Sequence, residues 1–489
     1  MKGASYEGLF FEVSINRQTL AELQLVLESC RNASRVRQSS TTVAIDLKTP
    51  LAYPAKAALE RAPGIFLICG RLPDSTRMLA GCPFGGLHYA NVGAFVRKTL
   101  CLAQARAYKG LKMTTENTVT RSLGKPPFRA DHVGSFLRPE SVKKARKQLQ
   151  DKEITPEALR AVEDEAIMQL VEKQKECGLQ AVTDGEFRRS WWHLDFFAGL
   201  QGIQKIVTNK GFVFHGVHTK AESVVLAGPV SFSEHPMLRD FAFLKSCAGA
   251  HTANMTIPSP AMLHFVLAIR NEQFELPDFY QSEAALIEDI ANTYKSALKA
   301  FYDAGCRYLQ LDDTSWGALC SAEQRAALTA RGIDPAALAE KYVNLVNAAI
   351  ADRPADMAVT MHICRGNFRS TWFSSGGYEP VAQELFGKAK LDGFFLEYDS
   401  ERAGDFTPLK HMRDQRVVLG LVSTKTGDLE DKEAIKARIA EAAKIVPLEQ
   451  LCLSPQCGFS STEEGNTLTE EEQWKKIRLV VEVAKSTWK

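Results

Sequence analysis

The stretch from Ala358 to Asn367 holds a histidine and a cysteine at a spacing that suits a metal ion. It reads AVTMHICRGN, a short apolar run followed by His362 and Cys364 with one residue between them. In an extended strand, residues two apart point to the same side, so an imidazole and a thiolate face one point. Nitrogen and sulfur ligands together are typical of Zn²⁺ sites, and two further ligands must come from elsewhere in the chain.

Two more ligand-type residues follow other predicted strands. Glu397 ends the apolar run FFLE, and Cys457 follows LCLSPQ. A lone strand cysteine is usually a small core residue and a lone glutamate is usually solvated. Together with His362 and Cys364 at other strand ends, however, they predict one metal site with zinc as its ion.

This ligand set also favours one kind of chemistry. Two thiolates, one carboxylate and one imidazole leave the Zn²⁺ centre with a net negative charge, which makes it a poor activator of water. Such a centre holds an incoming thiol as a thiolate while preserving its nucleophilicity. The set therefore favours alkylation of a thiol over hydrolysis, for which we expect fewer sulfur ligands and an open water position.

Short strand-like runs alternate with helical stretches from Phe128 onward, which is typical of a parallel sheet covered by helices. The eight predicted strands are Ala130–Ser135, Ala181–Glu186, Asn254–Pro258, Tyr308–Asp313, Ala358–Cys364, Gly393–Tyr398, Val417–Val422 and Leu451–Pro455. The clearest predicted helices are Pro156–Glu176, Ser282–Ala304, one beginning at Asp334-Pro335, and Asp431–Ile445. This pattern predicts an α/β fold, specifically a (β/α)₈ TIM barrel with a β-hairpin insertion at about residues 202–233. A doubly wound open sheet is the alternative, disfavoured because no G-x-G-x-x-G follows the first strand.

Composition limits the class of protein and its partners. The chain has 489 residues, 45% hydrophobic, with a net charge of +2, so nothing overall indicates a nucleic-acid or membrane partner. No apolar run is long enough to cross a bilayer, and the start has no signal-peptide pattern. Eleven scattered cysteines predict reduced thiols and a cytoplasmic location.

The N-terminal part differs in character from the rest. Residues 1–112 hold 15 Lys+Arg and 7 Asp+Glu and show no sustained periodicity. We predict that residues 1–125 are an extension that is weakly structured or disordered, with a small docking module as the alternative. Residues 126–489 are the predicted catalytic barrel.

Several strand-end motifs resemble one known family. HVGS, TDGE, QLDD, MHIC, FLEYD and SPQCG are similar, in the same order, to motifs in the C-terminal catalytic barrel of cobalamin-independent methionine synthase, over roughly residues 126–488. The short, single-barrel relatives of the methyltetrahydropteroyltriglutamate–homocysteine methyltransferase type are the most similar. The resemblance implies that zinc is held by His362, Cys364, Glu397 and Cys457. It also implies a thiol acceptor, homocysteine, and a methyl donor, 5-methyltetrahydrofolate, which is polyglutamylated in some members.

The resemblance further implies roles for the amino acid's two charged groups. Gly134 and Ser135 hold its carboxylate, whereas Glu186 and Asp312 take its ammonium group. A zwitterion needs this division between hydrogen-bond donors and carboxylates. Asp312 and Lys425 are our candidate catalytic residues, with Lys425 in the stretch where the family carries a proton-donating histidine.

The chain departs from the full-length family pattern in ways that concern the methyl donor. The family's N-terminal barrel is missing, and His264 stands where the family has a folate-stacking tryptophan. Exposed rim arginines, Arg188, Arg189, Arg365 and Arg369, either are solvated or bind an anionic donor tail, and Trp191, Trp192 and Trp372 lie beside them. The alternatives are therefore the same barrel with another thiol or a corrinoid donor, and a non-catalytic scaffold stabilised by zinc.

Overall fold

The computed structural model describes residues 125–214 and 216–488. The extension predicted for residues 1–125 thus lies outside the described residues, apart from its last residue. Among the described residues, every helix is too short or too polar to cross a bilayer.

Eleven strands are present in the described part of the chain. They are β1 Ala181–Val182, β2 Gln201–Val207, β3 Val213–Phe214, β4 Val217–His218, β5 Glu222–Ser231, β6 Thr252–Pro258, β7 Tyr308–Asp313, β8 Ala358–Ile363, β9 Gly393–Glu397, β10 Arg416–Val422 and β11 Leu451–Pro455. Seven of them form one sheet in the order β1-β6-β7-β8-β9-β10-β11, in which every neighbouring pair is parallel. The predicted α/β fold with a parallel sheet is therefore confirmed.

The sheet is curled. Side chains from strands that are far apart in the strand order pack into one small cluster, which contains Phe128, Val133, Ala181, Tyr308, Phe395, Val418 and Cys452. Tyr308 of β7 also donates from its hydroxyl to Asp131 at 3.0 Å. Such contacts between β7 and the segment before β1 require the sheet to bend round on itself.

The segment predicted as the first strand connects the two edge strands without joining the sheet. Ala130 forms an isolated parallel bridge with Leu453 of β11, and Ser135 forms one with Gly185, just after β1. The prediction of a regular strand over Ala130–Ser135 is wrong, because Gly134 has a φ of +126° and interrupts the extended backbone.

Helices follow most strands and cover the sheet. The α-helices are α1 Glu140–Gln150, α2 Pro156–Cys177, α3 Leu194–Phe197, α4 Pro236–Ala248, α5 Pro260–His264, α6 Glu283–Asp303, α7 Ser315–Cys320, α8 Ala322–Ala330, α9 Pro335–Ala349, α10 Glu379–Lys388, α11 Lys432–Ala442 and α12 Glu470–Thr487. A π-helical turn, Phe265–Ile269, continues α5, and 3₁₀ turns lie at Glu401–Ala403, Thr407–His411 and Leu448–Gln450. Their ends carry the expected signals: Thr155 caps α2 and Gly178 ends it in a left-handed conformation.

The excursion between α3 and α4 contains antiparallel strands. β2 pairs with β5, and the short strands β3 and β4 pair with each other beyond them. The excursion carries Phe212 and Phe214 to the carboxyl end of the parallel sheet, where both side chains line the cleft described below.

Candidate functional site

Four ligand-type side chains meet at the carboxyl end of the sheet. One nitrogen of His362, the sulfurs of Cys364 and Cys457, and a carboxylate oxygen of Glu397 lie within 4.8 Å of one another, and all four residues are buried. His362 lies in β8, Cys364 directly after it, Glu397 is the last residue of β9, and Cys457 follows β11. Parallel strands place these ends at one edge of the sheet, which is why residues far apart in the chain converge.

Hydrogen bonds from the surrounding backbone hold this cluster in place. The backbone N–H of Arg365 donates to Glu397 Oε1 at 2.8 Å, and Gln456 Nε2 donates to Glu397 Oε2 at 3.2 Å. The backbone N–H of Gly366 donates to the sulfur of Cys364 at 3.3 Å. The donors fix the orientation of the carboxylate and of one sulfur, as expected of supporting groups around metal ligands.

The charge state of the cluster suits a divalent cation. The two sulfurs, of Cys364 and Cys457, lie 3.6 Å apart. The hydrogen bond with Cys364 lowers the pKa of the Cys457 thiol well below its ordinary value, whereas the same bond raises the pKa of Cys364. The buried imidazole of His362 lies beside these sulfurs in the same cluster. One nitrogen, two sulfurs and one carboxylate oxygen this close together fit a zinc ion.

Two buried carboxyl groups lie in the wall of the same cleft. Glu186 Oε1 accepts a hydrogen bond from Thr256 Oγ1 at 2.9 Å, while its Oε2 has no hydrogen-bond partner in the described part of the chain. Asp312 accepts from Gln310 Nε2 at 2.8 Å. Burial raises the pKa of both carboxyl groups, and the charge of Glu186 raises that of Asp312 further. A cation bound between them would relieve this cost, because two buried like charges repel.

The predicted carboxylate-binding residues, Gly134 and Ser135, lie beside this pair. Ser135 lines the cleft, and its Oγ accepts from the backbone N–H of Ser460 at 3.2 Å. A Cβ atom on Gly134 would stand 2.6 Å from Thr256 Cγ2 and 3.7 Å from a carboxylate oxygen of Glu186. The glycine therefore lets the backbone approach the carboxylate pair closely.

Replacing Gly134 with alanine is expected to destabilise the protein by ~1–3 kcal/mol, because the new methyl group would clash and the positive φ disfavours a side chain. Urea unfolding of the full chain measures this change. The control is Gly387→Ala in α10, where a Cβ atom meets nothing within 4 Å. That variant should be neutral or slightly more stable; equal stability of both variants would contradict the close approach at Gly134.

Lys425 lies behind the cleft wall. Its ammonium group contacts the carbonyl oxygens of Gly366 and Thr371 at 3.4 and 3.1 Å and Asn367 Oδ1 at 3.2 Å. These contacts hold the loop after β8, which carries Cys364. The role of Lys425 as a proton donor stays a prediction. In the structure its ammonium group donates hydrogen bonds to this loop.

The prediction of exposed rim arginines is wrong for three of the four. Arg188 forms ion pairs with Asp164 and Asp240 at 2.5 and 3.1 Å, and Arg189 donates to the carbonyl oxygen of Thr256 at 2.7 Å. Arg365 is fully buried. These guanidinium groups are occupied in packing the strand ends and do not face solvent; Arg369 is exposed.

His264 does not replace a stacking tryptophan. It is fully buried and hydrogen-bonds Tyr342 Oη at 3.2 Å and Glu283 Oε1 at 2.9 Å. Its ring therefore joins α5 to α6 and α9 and is not among the residues that line the cleft.

The cleft above the cluster has aromatic walls and one guanidinium group. Its empty volume is about 730 Å³, counting the part open to solvent, which is within the range of small-molecule sites. Besides the residues above, its lining includes Trp191, Trp192, His193, Phe212, Phe214, Arg270, Phe368 and Phe373. The sequence did not point to His193 or Arg270, because neither follows a predicted strand. The available signals for an aromatic cleft were the tripeptide WWH at 191–193 and the pair Phe212 and Phe214.

The comparisons with known proteins agree with this site. The family described as "Cobalamin-independent synthase, Catalytic domain" matches residues 128–486. The protein YxjG of Bacillus subtilis, which is described as uncharacterized, is 52% identical over 75% of this chain and 96% of its own length.

Two solved structures are similar to the fold. One is described as a putative vitamin-B12 independent methionine synthase from Listeria monocytogenes, with 47% identity, a TM-score of 0.61, and coverage of 75% of this chain and 99% of that one. The other, from Shewanella, is described as a B12-independent methionine synthase in complex with selenomethionine; it has 19% identity, a TM-score of 0.56, and coverage of 73% and 97%. Because the family matches most of the described residues and the strand-end motifs lie where the four ligand-type side chains meet, the chain belongs to the cobalamin-independent methionine synthase family.

Proposed function

We propose that this protein is a zinc-dependent methyltransferase that transfers a methyl group from 5-methyltetrahydrofolate to the thiol of homocysteine and so forms methionine. The observation that carries the proposal is the buried His362, Cys364, Glu397 and Cys457 cluster at the floor of an open cleft. A zinc ion held by these residues would lower the pKa of an incoming thiol and keep it nucleophilic.

The residues around the cluster position the amino acid. Glu186 and Asp312 lie in the cleft wall and hold the ammonium group between their carboxylates. Ser135 and the backbone at Gly134 bind the carboxylate at the other end. The sulfur of homocysteine is then directed towards the cluster, and the side chains are fixed before the substrate arrives, which lowers the entropic cost of alignment.

The accessibility of the cluster supports an enzyme over a scaffold. His362, Cys364 and Cys457 all contribute to the lining of the cleft. A structural zinc site is normally enclosed by its four protein ligands. Here a thiol can approach from the cleft, which a site built only for stability does not need.

X-ray absorption of the zinc-loaded protein is the test. We expect added homocysteine to give the metal one more sulfur neighbour, because the thiol binds to it as thiolate. Cysteine-free buffer and the oxygen analogue homoserine serve as controls and should leave the spectrum unchanged. An unchanged spectrum with homocysteine would support the non-catalytic scaffold. A separate methyl-transfer assay with a panel of donors, including a methylcorrinoid, identifies the methyl donor.

The remaining parts of the proposal concern architecture and location. The segment over residues 129–136 takes the position of the eighth strand and closes the (β/α)₈ barrel. Its isolated bridges to Leu453 and Gly185, at the two edges of the sheet, support this arrangement. Residues 126–489 form the catalytic domain, and residues 1–125 are an extension with no catalytic role. The cytoplasm is the proposed location, because thiolate ligands need a reducing compartment.

A further inference from the structure

Arg270 places a guanidinium group in the cleft, where no carboxylate of the described residues pairs with it. It follows the π-helical turn, where its backbone N–H donates to the carbonyl oxygen of Phe265 at 2.8 Å. Within residues 125–214 and 216–488, its side chain forms no ion pair and no hydrogen bond. It lies instead against the ring of Phe212, with its central carbon 3.3 Å from the ring centroid, and 5.7 Å from that of Phe373.

An unpaired guanidinium group in such surroundings costs free energy. Burial lowers the pKa of Arg270 to about 9, so the group is still charged at neutral pH. Arg188 and Arg189 at the same end of the sheet meet carboxylates of the protein within 4 Å. No carboxylate in the described part of the chain pairs with Arg270, and an anionic group on a ligand would offset the cost of desolvating it.

His193 supplies two further free polar atoms in the same cleft. It is buried, and neither of its ring nitrogens has a hydrogen-bond partner among the residues that the structure describes. Its ring lies 4.5 Å from that of Trp192 and 5.7 Å from that of Trp191, measured between centroids. Burial, together with the nearby charges of Arg270 and Lys205, lowers its pKa well below the ordinary value. The imidazole is therefore neutral, with one donor and one acceptor to offer a ligand.

The walls next to these two residues are flat and apolar. Phe214 lies 5.6 Å from Phe368 and 5.9 Å from Phe373, measured between ring centroids. Phe212 and Phe214 come from the excursion between α3 and α4, whereas Phe368 and Phe373 come from the loop after β8. Two loops thus enclose a space that suits a conjugated ring, since aromatic side chains stack on flat heterocycles.

We propose that Arg270 and His193, with the aromatic rings of the excursion, form the binding subsite for the methyl donor and select a flat heterocycle that carries a carboxylate. This inference rests on the proposed function, because it assigns the donor half of the same cleft. In this subsite, Arg270 and His193 determine donor specificity, and not a stacking tryptophan at position 264 or the rim arginines. The carboxylate pairs with Arg270, and the ring's N–H or carbonyl groups pair with His193.

Calorimetric titration of the full chain tests the subsite. The two probes are 5-methyltetrahydropteroylmonoglutamate and a 5-methyltetrahydropterin that lacks the carboxylate-bearing tail. We expect Arg270→Gln to weaken binding of the first probe by ~10-fold or more and to leave the second unchanged. Arg270→Lys keeps the charge and should retain part of the affinity, which separates loss of charge from misfolding. The control, Arg331→Gln, changes an exposed arginine at the end of α8 and should bind both probes as the wild type does.

Three outcomes would overturn the inference: equal binding of the two probes by the wild type, unchanged binding of the carboxylated probe by Arg270→Gln, or no binding of either probe. The titration uses no thiol and does not depend on turnover. Zinc content and the thiol-dependent X-ray absorption change are measured on the same samples, so failure of the donor subsite and failure of the zinc–thiol proposal are seen separately.

Discussion

We expect the Cys457→Ala variant to lose its zinc and to transfer methyl groups ~10³-fold more slowly than the wild type, or not at all. Cys457 lies 3.6 Å from Cys364 in the cluster, and the hydrogen bond between the two sulfurs lowers the pKa of the Cys457 thiol well below its ordinary value. Removing it deletes a thiolate ligand and leaves three donors, which lowers both metal affinity and the ability to hold a second thiol as thiolate. Metal analysis and a homocysteine-dependent methyl-transfer assay measure the two losses.

The control for this variant is Cys247→Ser. Cys247 is a half-buried free thiol in α4 and does not belong to the cluster, so the change should leave zinc content and activity as in the wild type. Chelation of the wild type should reproduce the loss of activity, and added zinc should restore it. Normal activity in the Cys457→Ala variant would rule out the proposed reaction.

The floor of the site could be predicted because its residues obey local rules. The spacing of His362 and Cys364 follows from the two-residue period of a strand. Glu397 and Cys457 end apolar runs that parallel pairing brings to one edge of the sheet. For these residues, knowing the strands is almost enough to know where the side chains meet.

The rim could not be predicted in the same way, because burial there depends on contacts between distant segments. Arg188 reads as an exposed charge after a strand, but its partners Asp164 and Asp240 lie in α2 and α4. Arg270 reads as an ordinary helix end, and only the fold shows that Phe212 lies on one side of it and that no described carboxylate pairs with it. The sequence shows that a side chain is charged, but it does not show which distant residue, if any, forms an ion pair with it.

The first predicted strand failed for a physical reason. Its apolar and polar alternation is that of a strand, yet Gly134 adopts a conformation that an extended ladder excludes. The same glycine brings the backbone within reach of Glu186. The close packing around Gly134, and not the local sequence pattern, therefore sets the backbone conformation here.

Replacing Asp312 with asparagine, or Glu186 with glutamine, is expected to lower kcat/KM for homocysteine by ~10²-fold. Each variant removes one of two buried carboxylates that we assign to the substrate's ammonium group, and a charged hydrogen bond in a buried site contributes a few kcal/mol. Zinc content should stay unchanged, because neither residue belongs to the four-ligand cluster. The control, Asp303→Asn, alters an exposed carboxylate at the end of α6 and should leave kcat/KM as it is.

The matched thiol 4-mercaptobutyrate, which is homocysteine without its amino group, distinguishes ammonium binding from a general effect on the site. The wild type should prefer homocysteine by ~10²-fold or more, because an analogue without the ammonium group leaves the buried carboxylates unpaired. In the double variant Glu186→Gln, Asp312→Asn that preference should fall to a few-fold, since the groups that read the charge are gone. An equal loss with both thiols would instead mean that the carboxylates support the strand ends and do not recognise the substrate. Burial raises the pKa of both carboxyl groups. The same exclusion of water strengthens the attraction between their charged forms and a bound ammonium group, which is why we expect a large preference for homocysteine.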